Sequence, residues 1–376
     1  MFDNGLDLET NEKIPGGSSA TPWGRFRGFD ADADGCTDFT HGAANGPGQF
    51  DPTTHRTAGY DCFGGTDLYN FAPANYHLTP QERYGIFASA SYELNDSVRA
   101  FTELSFNRRT SDTKLAPLPL APLAFFGFPA PYAADNYYNQ TVGPKNGAGE
   151  SQEIADWRRR MVETGGRDSR FRIETVRAMF GLDGEFSNGW GWEASYIFGA
   201  NDSSTAGAGG VNFDKVALAV GPSFMDDAGN VVCGTVDAPI AGCVSLNVFG
   251  VPGSDSQVSQ EMLDYITFEA HDLGSNEQQI ISASIFGDAF ELPAGTVGFA
   301  AGVEHREEKG ADYPDALIAL GITSGSSRTS TVGQYEVDEI FFEANVPLLS
   351  GVVGAEVLEV DLAVRYSDYD TFGDTT

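Results

Sequence analysis

Between Pro80 and Arg109 the chain reads PQERYGIFASASYELNDSVRAFTELSFNRR. Tyr84, Ile86, Ala88, Ala90, Tyr92 and Leu94 form an apolar row, and Arg83, Gly85, Phe87, Ser89, Ser91 and Glu93 alternate with it. After Asn95-Asp96-Ser97 the pattern resumes. Val98, Ala100, Thr102, Leu104 and Phe106 take one face, and Arg99, Phe101, Glu103, Ser105 and Asn107 take the other. Successive side chains of a strand point to opposite faces, so alternation on both sides of a short turn predicts a β-hairpin. Each run is about ten residues or longer, beyond the five or six usual in a soluble strand. That is the length of a tilted strand crossing a bilayer. Tyr84 and Tyr92 stand near the ends of the apolar row, where aromatics of a membrane interface belong.

Three further stretches repeat the pattern. Val176, Ala178, Phe180 and Leu182 lead into Ser187-Asn188-Gly189, and Trp190, Trp192, Ala194, Tyr196 and Phe198 return. Val297, Phe299, Ala301 and Val303 follow the turn Leu292-Pro293-Ala294-Gly295. Ile340, Phe342, Ala344, Val346 and Leu348 match Leu358, Val360, Leu362, Val364 and Tyr366. Hairpins are therefore expected near 83–109, 173–199, 278–306 and 336–367. Turns inside hairpins are a few residues long, whereas connections between hairpins run to tens of residues. That asymmetry is typical of outer-membrane barrels, and soluble domains seldom carry several structureless loops of such length. The expected fold is all-β: an antiparallel up-and-down transmembrane β-barrel, partial, with about eight strands and long extracellular loops. Residues 1–79 are expected to be a long loop region, and residues 80–376 the barrel section.

Charge narrows the function. The 54 acidic residues outnumber the 22 basic ones, for a net charge of -32. Nucleic-acid binding needs a basic footprint, and docking on an anionic membrane surface needs one too. The opening MFDNGLDLETNEKI has neither the basic start nor the apolar core of a secretory signal, so an exported barrel would contain this chain as an internal section. Leu115 to Ala134, LAPLPLAPLAFFGFPAPYAA, imitates a membrane-spanning helix. Its prolines remove backbone donors and push their predecessors out of the helical region. An extended, proline-rich loop is expected instead.

Four constellations are candidates for sites. Asp30, Asp32, Asp34 and Asp38 stand at D-x-D-x-D-G-x-x-D spacing, with Gly35 for the sharp turn. Acidic residues so spaced converge oxygens on calcium, although His41 stands where an EF-hand places its glutamate. A solvated acidic loop is the other reading. An even count of cysteines in an exported chain predicts local disulfides, Cys233 with Cys243 and Cys36 with Cys62. The basic run Arg158, Arg159 and Arg160, continued by Arg167, Arg170, Arg172 and Arg177, could meet an anionic ligand or a lipopolysaccharide phosphate. It could equally pair with lumen-facing acids such as Glu174 or Glu185. Trp157 and the pair Tyr137 and Tyr138 could stack on sugar rings, whereas Trp190 and Trp192 suit an interfacial girdle. The five histidines form no HExxH, and neither a nucleophile elbow nor a phosphate loop is present, so catalysis is not expected.

Three strings carry a family resemblance. They are YNFAPANYHLTPQERYGIFASASYELNDSVRAFTELSF, FGDAFELPAGTVGFAAGVEHREEKGADYPDAL, and YEVDEIFFEANVPLLSG with VLEVDLAVRYSDYDTFGDTT. They resemble the barrel of TonB-dependent outer-membrane receptors of Gram-negative bacteria, over most of residues 60–376. The resemblance implies a plugged barrel that binds a scarce ligand (a siderophore, an oligosaccharide or similar) at extracellular loops and imports it to the periplasm. It implies an outer-membrane location, contact with outer-membrane lipid, and energy from the TonB complex reached through an N-terminal region absent from this chain. No cofactor is required, and calcium is optional. The competing expectation is a secreted β-rich module that binds calcium and carbohydrate or mediates adhesion.

Overall fold

The computed structural model describes residues 4–6, 13–29, 35–41, 50–51, 56–57, 59–64 and 67–376. Its main sheet has nine strands: β1 (Gln81–Asn95), β2 (Val98–Leu115), β3 (Arg167–Glu185), β4 (Gly191–Val211), β5 (Thr267–Leu292), β6 (Gly295–Tyr313), β7 (Thr331–Val352), β8 (Ala355–Tyr369) and β9 (Gly373–Thr375). Each pairs antiparallel with its neighbour in sequence, from β1 at one edge to β9 at the other. This is the all-β, up-and-down arrangement that the alternation predicts. The hairpins close on short turns, with Asn95 opposite Val98, Leu292 opposite Gly295 and Val352 opposite Ala355. Several strands run past their expected ends, β2 to Leu115 and β5 back to Thr267. There both faces carry polar residues, so periodicity marks no strand, and backbone pairing alone extends the sheet.

The apolar rows lie on one face, and they are exposed. Ile86 is 72% accessible and Leu362 57%, and Tyr84, Tyr92, Phe342 and Val364 are exposed with them. The belt they form is inclined to the hydrogen-bonding direction. The register line through Ile86 passes Phe106, Val176 and Ala200, then meets Glu277, Lys309 and Gln334. The line back from Leu362 runs through Ala344, Phe299 and Gly287 and leaves the sheet at the turn between β3 and β4. A level apolar band can cut paired strands at a drifting register only if the strands are tilted across it, as in barrels. Towards the long connections the same face becomes charged. Arg108 and Arg172 share Glu174, and Lys309 holds Glu307 at 2.7 Å.

Among the described residues the long connections carry secondary structure, where sequence reasoning expected a loop region over 1–79 and structureless loops between the hairpins. The reason is that their scattered apolar residues meet at long range and build a buried core away from the sheet. A five-stranded sheet in the order Pro119–Leu120, Asp156–Arg160, Arg25–Arg27, Asp38–His41, Tyr60–Cys62 forms its frame. Helices Phe213–Val220 and Gln260–Ile266 and a three-stranded sheet spanning Ser223 to Val244 complete it. Phe26, Tyr132, Trp157, Leu246 and Phe249 are buried together, and Phe26 and Phe249 bring their rings within 4.8 Å. We refer to this unit as the cap.

The proline-rich run is part of that core. Leu118, Leu120 and Ala121 are buried, and the segment contains one short helix, Pro122–Phe126. Pro122 sits in the helix's first turn, where its missing N–H costs nothing, and Gly127 ends the helix at φ +66°. Among the described residues no helix is long and apolar enough to cross a membrane. Both expected disulfides are present, joining Cys36 to Cys62 and Cys233 to Cys243 with Cα separations of 5.7 and 5.9 Å.

Candidate functional site: the cap and the polar face of the sheet

The basic run folds inward rather than onto a ligand surface. The segment Asp156–Arg160 is an inner strand of the cap sheet, flanked by Pro119–Leu120 and Arg25–Arg27. Trp157 is 1% exposed and donates its indole N–H to the carbonyl of Ala130 at 2.8 Å. Arg159 is fully buried. It donates to the carbonyls of Pro22 at 2.8 Å and Gly250 at 2.6 Å and pairs with Glu163, so that one guanidinium ties three cap segments together. Burial lowers its pKa, and Glu163 opposes that shift. Arg160 donates to the carbonyl of Pro117 and lies over the rings of Tyr69 and Phe71. Burial pushes its pKa down to about 10, so it stays charged at neutral pH.

Arg158 is tied to Asp156 at 2.7 Å and to the hydroxyl of Ser19. These residues hold the cap together, and Trp157, Arg159 and Arg160 have almost no surface to offer a ligand. Tyr137 and Tyr138 pack edge to face in the helix Tyr137–Thr141, and Tyr138 rests against the core. Asp30, Asp32 and Asp34 lie outside the described residues. Asp38 is described, and its carboxylate is held by Arg25 at 2.5 Å and Arg27 at 3.3 Å. Glu174 faces the apolar side of its strand, beside Val176 in the alternation, and not the polar side expected of it.

Of the residues the sequence singled out, Arg167, Arg177 and Glu185 fall on the polar face of the sheet, and sequence reasoning left the rest of that face unnamed. Near the turns, Arg99 pairs with Asp183 at 2.5 Å and Arg177 with Glu103 at 3.3 Å across β2 and β3. Ser195 bonds Ser282 at 2.9 Å. Two tetrads repeat the same construction. In the first, Phe101 lies across Gly181, Arg99 stands over its ring and Asp183 holds the arginine. In the second, Phe341 lies across Gly302, Arg365 stands over its ring and Glu339 holds that arginine, with the Ser367 hydroxyl donating to Glu339 at 2.5 Å. The result is a face on which the rings lie flat and the charges are paired.

The charges of this face are graded along the strands. On β1 to β4 its acids are Glu93, Glu103, Asp183, Glu185 and Glu193, all in the half nearer the turns, and Glu185 is thus on the polar side as expected. The half nearer the cap carries Arg83, Arg109 and Arg167 with the neutral polar residues Gln81, Asn107, Ser111, Thr175 and Asn201. The signal lay in the alternate set of each strand, and only the strand register brings its members together.

No protein-family model matches the chain, and no curated protein matches it. Among solved structures, the ferripyoverdine receptor of the outer membrane of Pseudomonas aeruginosa, bound to ferripyoverdine, matches with a TM-score of 0.39 and 10% identity, over 95% of this chain and 38% of that one. The siderophore receptor PiuA from Acinetobacter baumannii matches with a TM-score of 0.29 and 9% identity, over 88% of this chain and 43% of that one. The chain spans less than half the length of either.

Proposed function

We propose that this chain is a section of an energy-coupled outer-membrane receptor that takes up a scarce small ligand from outside a Gram-negative cell. The observation that carries the reading is where apolar surface is buried and where it is not. The sheet exposes a tilted apolar belt, yet the cap buries a hydrophobic core of its own. A water-soluble module would bury Ile86, Phe342 and Leu362, because contiguous exposed apolar patches of this size are rare in soluble monomers. Lipid is the surrounding that makes their exposure favourable. The cap then stands outside the membrane, where two disulfides persist, and the polar face lines a hydrated passage. The energy supply is the TonB complex, and the ligand is a siderophore, an oligosaccharide or a molecule of similar kind.

The reading is tested in the bacterium that makes the protein. Protease added to intact cells should cleave within the cap, and the sheet should fractionate with the outer membrane. Deleting the region should abolish uptake of one labelled ligand in a panel of ferric siderophores and oligosaccharides, and dissipating the proton-motive force should do the same. Recovery of the chain in the soluble fraction would overturn it.

A further inference from the structure

We propose that Asn146 and Gly147 form a self-modifying turn of the cap: the Asn146 side chain deamidates through a cyclic imide, and the turn directs that imide to open to aspartate. The inference does not depend on the receptor reading.

The cap contains one five-residue turn twice, as NGAGE at 146–150 and as DDAGN at 226–230. In the first, the Asn146 N–H donates to the carbonyl of Glu150 at 3.0 Å, and the Gly149 N–H donates to the carbonyl of Asn146 at 2.9 Å. The Asn146 Oδ1 accepts the N–H groups of Ala148 at 3.0 Å and Glu150 at 2.9 Å. In the second, Asp226 with Asn230, and Gly229 with Asp226, repeat the two backbone bonds at 2.9 and 3.0 Å. The Asp226 Oδ1 accepts from Ala228 at 2.9 Å and Asn230 at 2.8 Å. Gly149 and Gly229 hold the fourth position at φ +81° and +86°, which glycine adopts at no steric cost. The second turn therefore shows the first with a carboxylate in its opening position. There the backbone N–H of Asn230 leads the contacts that hold the Asp226 carboxyl below its ordinary value of 3.8. Hydrogen bonds to a carboxylate favour its charged form, so this backbone cradle suits negative charge. The turns differ at their fifth residue, where Asn230 also donates its amide to Asp226 Oδ2 at 3.2 Å and Glu150 has no amide to offer.

Gly147 has no Cβ to obstruct the approach of its nitrogen to the Asn146 side chain. That nitrogen gives its proton to water and bonds to Asn146 Cγ, the Cγ–Nδ2 bond breaks, and ammonia leaves. Water then adds to the imide, the bond between its carbonyl carbon and the Gly147 nitrogen breaks, and the nitrogen recovers a proton. The net exchange is amide and water for carboxylic acid and ammonia. Both steps build negative charge on an oxygen, and donors already aimed at such an oxygen stabilise it. Oδ1 has two of them, and the main-chain oxygen of Asn146 has the Gly149 N–H. Ring closure and ring opening are thus both favoured at Cγ, and opening there yields ordinary aspartate. Opening at the main-chain carbonyl yields iso-aspartate, whose extra main-chain methylene displaces the N–H groups of the cradle.

The test keeps the full chain in detergent in mildly alkaline buffer for days, beside a free peptide covering residues 143–152. Peptide mapping by mass spectrometry finds the conversion, and labelling by an iso-aspartate methyltransferase separates the two products. Asn146 should convert in the folded chain with aspartate as the major product, whereas iso-aspartate should predominate in the peptide. Asn188, before Gly189, has one N–H on its Oδ1, from Trp190 at 3.2 Å, and should lack that bias. Asn146→Gln should not convert on this timescale, and Gly147→Val should convert more slowly than the parent. Asn146→Asp/Glu150→Asn, which copies the end residues of the second turn, should resist limited proteolysis as the parent does. Conversion confined to the peptide, the same product ratio in peptide and folded chain, or an equal bias at Asn188 would overturn the proposal. So would cleavage of the double variant within 143–152 where the parent stays intact.

Discussion

Phe101 lies so close over Gly181, its register partner on β3, that a Cβ added to the glycine would come within 2.2 Å of the ring. Gly302 under Phe341 and Gly191 under Phe286 repeat the relationship on other strand pairs, at 2.6 and 2.5 Å. An aromatic ring laid across a strand glycine covers backbone that would otherwise lack packing and pins the register of the two strands.

Replacing Gly181 with Val should lift the ring off the strand and destabilise the sheet by about 1–3 kcal/mol, the usual cost of overpacking. Urea unfolding in detergent measures it. Combining Gly181→Val with Phe101→Leu should recover part of the loss, because the clash needs both partners. Additive losses would mean that the ring and the glycine act independently.

The two faces of β8 should respond oppositely to charge. Leu362→Arg puts a cation on the apolar belt and should cost about 2–4 kcal/mol if the belt sits at mid-bilayer. Ala363→Arg, one residue on and facing the polar side, should cost little. Urea titration of the chain in lipid vesicles compares them, and equal costs would remove lipid from the account.

Arg159→Met leaves Glu163 buried without its cation, and breaking a buried pair in this way costs about 3–5 kcal/mol. The cap should become sensitive to limited proteolysis between residues 116 and 166, with the strands of the main sheet still protected. Arg159→Met/Glu163→Leu should regain much of the resistance, since it removes both charges. A cap as resistant in Arg159→Met as in the parent would mean that the guanidinium is not what ties its three segments.

Acid should loosen the cap through Asp156. Burial alone would raise its pKa, but Arg158 and Arg27 outweigh that and hold it below the ordinary carboxylate value of 3.8. A depressed folded-state pKa means that the unfolded chain binds the proton more readily. The stability that Asp156 contributes is therefore complete above pH 3.8 and is lost as pH falls through its lower folded value. In Asp156→Asn the acid-side slope of cap stability, followed by proteolysis or tryptophan fluorescence, should be shallower. An unchanged slope would assign acid sensitivity to other carboxylates.

The sheet was readable because its information is local. A period of two, carried by residues such as Tyr84, Ile86 and Ala88, needs only the chain's own geometry to separate two faces, and the turns at Asp96-Ser97 and Pro293-Ala294 set where each strand folds back. Spacing and count likewise paired the cysteines. The cap was not readable, because nothing near Trp157 in the sequence distinguishes an indole offered to a ligand from one that donates to Ala130. That choice depends on partners far along the chain, such as Phe249 against Phe26 and Gly250 against Arg159. The amino-acid sequence by itself determined which side chains share a face of the sheet. Tertiary structure alone decided which residues of the connections are buried, and which arginines find a carboxylate, because those outcomes follow from contacts between segments that no local rule brings together.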